Sequence, residues 1–280
     1  MNQFFDFTRF GRLLRSHWAE NHRTYGWFAA VVAIVDAIVM VLCFVGAASN
    51  HQYEAFRFES QVAWFTTGLF ITATIFAARY FDNLSSSGAA LLTLMRPASI
   101  FEKWLMAFVW VGVLFPLAYM VLYVLLHLPA VTLAQALYVP EVAKNSYNSA
   151  PNFHFYIPFL RYGDRVVDAA AVKQFLKVEL FTALLVCGLQ AFCVACKVYF
   201  KKASALKTAL VAFVLLLLVL GAPAVLDLNP VRFATYWMDS GERGMQFAVW
   251  ERILALLVLP GVPVLLWWAV YVNLQEREVN

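Results

Sequence analysis

Six apolar runs are spaced along the chain, at residues 27–49, 62–81, 104–127, 175–196, 205–226 and 253–272. A hydrocarbon core about 30 Å thick takes about 20 residues of helix. A membrane β-strand would instead show stretches of about ten residues with alternating polarity. The pattern predicts an all-α polytopic membrane protein: six transmembrane helices in a single transmembrane domain covering 1–280.

The connections differ in character. Before the first run lies an arm, 1–26, in which Phe7, Phe10, Leu14 and Trp18 share one helical face, with Arg9, Arg12, Ser16 and Glu20 largely on the other. That spacing predicts an interfacial helix, with its aromatics below the headgroups and its arginines among them. The second connection, 82–103, is far longer than a turn between helices needs. The third, 128–171, is longer still. It holds Phe153, Phe155, Tyr156, Phe159 and Tyr162, interrupted by Pro151 and Pro158, and is expected to fold against the membrane surface or over a cavity mouth. The fifth, 226–250, carries Phe233, Tyr236, Trp237 and Phe247.

Composition agrees with this outline. At 62% hydrophobic and 14% charged side chains, the chain is too apolar for an ordinary soluble domain. Basic residues cluster at Arg9, Arg12, Arg15 and Arg23, at Arg79, Arg96 and Lys103, and at Lys197, Lys201, Lys202 and Lys207. The first and fifth connections are poorer in them, so both termini are expected to be cytoplasmic and 128–171 extracytoplasmic. The pI near 8.9 then reflects topology, and no nucleic-acid partner is expected. The basic arm precedes an apolar run too long for a cleaved leader.

Few residues carry chemistry. The four cysteines, Cys43, Cys187, Cys193 and Cys196, fall inside apolar runs, and Cys193 and Cys196 read as small packing residues. The five histidines are scattered, and no Walker loop, H-E-x-x-H or G-x-S-x-G occurs. An enzyme is therefore not expected, and no cofactor or metal is assigned to the chain. A candidate within the first apolar run is Asp36, on a stripe with Ala29, Ala33, Met40 and Cys43 and about 15 Å into the span. A charge at that depth needs a partner or water, and Thr67, Thr74 or Gln190 are the expected partners. The second run is rich in small and weakly polar residues (Thr66, Thr67, Gly68, Thr72, Ala73, Thr74, Ala77). It is expected to pack in the interior or to line a path.

The second connection has its own grammar. Ser85, Ser86 and Ser87 precede a short apolar stretch, 88–95, that ends before Pro97 because the residue ahead of proline is pushed from the α region. Ser99 and Glu102 then have capping-box spacing, which would start the third span at a fixed place. A short helix joined rigidly to a membrane helix is a lever for a soluble partner.

At LLTLMRPASIFEKWL, residues 91–105, the chain resembles the membrane subunits of type-2 ABC exporters, and FTRFGRLLR in the arm adds to the likeness. The resemblance implies a permease subunit in a bacterial cytoplasmic membrane, paired with a second membrane subunit as a homodimer or heterodimer. ATP and Mg would be held by a separate ABC ATPase subunit. It implies that Leu91, Leu92, Leu94 and Met95 fill a groove on the ATPase, with Arg96, Glu102 and Lys103 as polar contacts. Asp36 would line the translocation path or the contact between membrane subunits. The alternative is a membrane sensor or assembly subunit that recognises a peptide antibiotic or lipid at 128–171 without moving it.

Overall fold

A computed structural model describes residues 5–48, 53–80, 98–138, 153–159, 169–200, 207–215 and 249–279. Among these the chain is helical, in the order α1 (Phe7–Ala48), a short 3₁₀ turn (Glu54–Phe56), α2 (Phe58–Tyr80), α3 (Ile100–Ala107), a π-helical segment (Phe108–Leu114), α4 (Phe115–Leu137), α5 (Ala169–Tyr199) and α6 (Val249–Val279). Five stretches are long and apolar enough to cross a membrane: Phe7–Ala47, Phe58–Tyr80, Ile100–Leu137, Val172–Tyr199 and Leu256–Glu276. Of the expected fifth span only 207–215 is described, and it is helical.

Several boundaries differ from the pattern in the sequence. The arm is no element of its own: it continues into the first span as the 42 residues of α1, roughly 63 Å of helix. Between arm and span stand no proline and only the isolated Gly26, so nothing interrupts the backbone ladder. The third span starts at Ile100, through α3, and runs to Leu137. The first ten residues of the expected 128–171 connection therefore belong to α4, with Pro129 inside the helix. A proline removes one amide and crowds the preceding turn without always ending a helix. Helices α5 and α6 also exceed their apolar runs, 175–196 and 253–272.

The chain divides into two compact units. One comprises 1–14, 73–114 and 173–280. Its interior is built from small and branched residues that let helices approach, among them Ala73, Ala77, Ala107, Val111, Ala191, Val194, Val198 and Val270, all 0% exposed. Trp104, Phe108, Trp267 and Tyr271 add interlocking rings, and the Trp104 indole donates to the Trp267 carbonyl at 2.8 Å. Within this unit the buried Gln190 amide of α5 donates to the Val111 carbonyl at 2.9 Å. The π segment displaces backbone carbonyls from the regular i to i+4 ladder, and a side chain from α5 satisfies this one.

The other unit comprises 15–72 and 115–172. Its core is aromatic. Phe65 stands between Tyr119, Tyr123 and Tyr156, with ring centroids 5.5, 5.0 and 5.9 Å away. Phe155 stacks on Tyr123 at 5.7 Å, so part of the expected surface connection is core. Gln61, 1% exposed, ties this segment down: its amide donates to the carbonyls of Phe56 and His154, and its carbonyl accepts from the Tyr156 amide at 2.9 Å. On α1, Ile34 and Ile38 face outward at 58% and 54% exposure, as lipid-facing residues do.

Candidate functional site

Two polar clusters stand out against the apolar background, one in each unit. The first is built on the capping box. Ser99 is the N-cap of α3: its hydroxyl accepts from the Glu102 amide at 3.2 Å, and the Glu102 carboxylate accepts from the Ser99 amide at 3.0 Å. The sequence spacing predicts this pair. It does not predict what else holds the carboxylate. Arg9 Nε donates to Glu102 Oε2 at 2.7 Å and to Oε1 at 2.9 Å, and Nη2 donates to Oε1 at 2.8 Å. The Asp6 amide adds a fourth bond from the arm, at 2.9 Å.

Glu102 is 0% exposed, so its carboxylate is compensated wholly within the chain, by one guanidinium and two amides. Asp6 in turn caps α1, accepting from the Thr8 and Arg9 amides at 2.7 and 3.1 Å. These bonds, that from Arg9 foremost, hold its carboxyl below the ordinary value of 3.8. Lys103 is also buried, at 8% exposure. Leu91, Leu92, Leu94, Met95 and Arg96 lie outside the described residues.

The second cluster surrounds Asp36. Its Oδ1 accepts from the Trp64 indole N–H at 2.7 Å, and its Oδ2 is 3.1 Å from His127 Nε2. The expected partners Thr67, Thr74 and Gln190 are replaced by an indole from α2 and an imidazole from α4. Gln190 belongs to the other unit and serves Val111. In the sequence His127 closes the third apolar run, 104–127. With α4 continuing to Leu137, it lies well inside the helix. The His127 ring stacks on Tyr123, centroids 4.4 Å apart, and meets Trp64 edge to face at 5.2 Å. Both members of the pair are largely withdrawn from solvent, with side-chain exposures of 3% for His127 and 16% for Asp36.

Sequence reasoning missed Arg9, Trp64 and His127 as site residues. Arg9 left one signal, its place on the polar face of an amphipathic arm. Trp64 and His127 left none, since an indole and an imidazole at membrane depth read equally well as interface anchors. Cys193 and Cys196 are buried free thiols, and among the described residues no group of three or more potential metal ligands comes together.

The helices and these sites define the class: a multi-pass helical membrane protein with an ionisable pair inside its membrane-spanning helices. Comparison with family models, curated proteins and solved structures finds no match for the chain.

Proposed function

We propose that this chain is the permease subunit of an ATP-driven ABC exporter in a bacterial inner membrane. It would form the translocation pathway with a second membrane subunit and couple through 82–103 to a separate ATPase. The observation that carries the reading is the knot at Glu102. Within the stretch 82–103 that resembles a coupling segment, the capping box at Ser99 and the Arg9 guanidinium bind the start of α3 to the arm. A push by a soluble partner on 82–98 would then meet a buried, four-bonded joint and move helix and arm together. In this reading Leu91, Leu92, Leu94 and Met95 enter the ATPase groove, Arg96 and Lys103 lie beside it, and Glu102 positions the lever. Asp36 lines the path or the contact between membrane subunits. ATP and Mg bind in the partner.

Affinity purification of the chain from its native membrane tests this. An ATPase subunit should co-purify, and Leu92→Glu with Met95→Glu should release it while insertion persists. Purification without any ATPase, from cells in which the neighbouring genes are expressed, would overturn the proposal.

One observation favours the second reading, a sensor or assembly subunit. Gln61 fixes 153–159 with two hydrogen bonds, which is the order expected of a recognition surface. Binding of a peptide antibiotic or lipid intermediate to the ATPase-free chain would support it.

A further inference from the structure

Asp36 and His127 are a carboxylate and an imidazole joined directly to each other. They meet where charge is costly: an ionised side chain at bilayer depth loses about 2.5 kcal/mol or more unless compensated, and such residues commonly mark proton or ion paths. A structural carboxylate needs only donors. The Trp64 indole already supplies one to Oδ1 without titrating, whereas the donor on Oδ2 is the one side chain whose charge ordinarily changes near neutral pH.

We propose that Asp36 and His127 together form a proton-binding site within the membrane-spanning helices. In the deprotonated form a neutral imidazole donates its Nε2 hydrogen to Asp36 Oδ2. Uptake of one proton at Nδ1 converts the ring to imidazolium and the same contact to an ion pair, taking the site from net charge −1 to 0. Release reverses this, and no heavy-atom bond forms or breaks. The Nε2 to Oδ2 contact at 3.1 Å serves both forms, so exchange of the proton needs no rearrangement of the helices.

The surroundings suit a ring that changes charge. Tyr123 lies stacked against it, and an aromatic face accommodates a cation. The Tyr123 hydroxyl is itself buried without a hydrogen-bond partner among the described residues. Among the described residues, the groups facing the pair are Tyr119 and Tyr123 from α4 and Trp64 from α2, which does not titrate. Neither the exporter nor the sensor reading is needed for this inference, only helices that cross the membrane.

The test is nitrogen-15 magnetic resonance of the full chain, histidine-labelled and reconstituted in liposomes, with His127→Gln to assign the ring among the five histidines. Nε2 of His127 should stay protonated between about pH 5 and pH 9 while Nδ1 gains and loses one proton. Asp36→Asn removes the carboxylate charge that favours the imidazolium and should lower that midpoint, leaving the other rings unmoved. An Nδ1 fixed in one state across the range would overturn the proposal, and this reading needs only the unaltered chain. So would an unchanged midpoint in Asp36→Asn. A failure to capture an ATPase would bear on the exporter reading and leave this result untouched.

Discussion

Arg9 and Glu102 lie 93 residues apart in sequence, yet three guanidinium hydrogen bonds of 2.7 to 2.9 Å join them. The carboxylate end of this pair has no exposed surface. The arm is thereby attached to the first turn of α3 in a single orientation, because a guanidinium engaging both carboxylate oxygens fixes direction as well as distance.

Glu102→Ala should lower the thermal midpoint of the detergent-solubilised protein more than Ser99→Ala, which removes only a cap of about 1 kcal/mol. Arg9→Ala should be damaging alone and nearly silent on top of Glu102→Ala, since both delete one interaction. A thermal double-mutant cycle checks this. Strict additivity would mean that the two residues act independently and that the joint is not a unit.

Gln61→Leu removes three hydrogen bonds, two of them to 153–159, at a cost of about 1 to 3 kcal/mol for each buried group left unsatisfied. The loss should fall on 153–159, which Gln61 holds by its backbone. Hydrogen exchange of the peptide containing Tyr156 should accelerate, while peptides from α5 and α6 stay protected. Uniform acceleration would point to global destabilisation instead.

Acid should loosen the start of α1. The Arg9 and Thr8 amides keep the Asp6 carboxyl below 3.8. A carboxylate depressed in the folded state stabilises above its unfolded value and loses that contribution as pH falls through the lower folded one. Amide shifts of Thr8 and Arg9 should therefore hold steady near neutrality and move on acidification below about pH 4. Asp6→Asn, which keeps an accepting oxygen but cannot ionise, should abolish this component of the movement.

Topology is testable by thiol labelling in intact cells. Cysteines placed singly at Asn2, Lys202 and Asn280 in a cysteine-free background should be shielded from an impermeant reagent, and those at Gln52 and Asn152 should react. Reaction at Lys202 would break the expected six-span arrangement with both ends inside.

What the sequence made legible follows the range of the interactions. The helical class, three of the spans to within a few residues and the Ser99 to Glu102 capping box all depend on neighbours within a turn or on local hydrophobicity, and all are found. The depth of Asp36 correctly marked it as needing a partner. The partners themselves were out of reach: which side chains of α2 and α4 meet Asp36 depends on helix rotation, and the third apolar run closes at His127, short of the end of α4. Arg9 could not be matched to Glu102 because the arm holds three other arginines with the same local signature. The π segment was equally hidden, since Phe108–Leu114 reads as any apolar helix.

Gly68 illustrates how the aromatic core constrains the chain's future. A methyl group at this position would overlap the Tyr119 hydroxyl, while the ring carbon bearing that hydroxyl would stand 3.2 Å away. Tyr119 is buried, at 8% exposure, so its ring has little room to retreat. Alanine at 68 is thus closed to a chain with tyrosine at 119 but becomes accessible once phenylalanine is there. The order of substitution matters: the hydroxyl must go before the methyl arrives. In descendants of this sequence the two positions should vary as a linked pair, with Gly-Phe as the passable intermediate and Ala-Tyr as the missing combination.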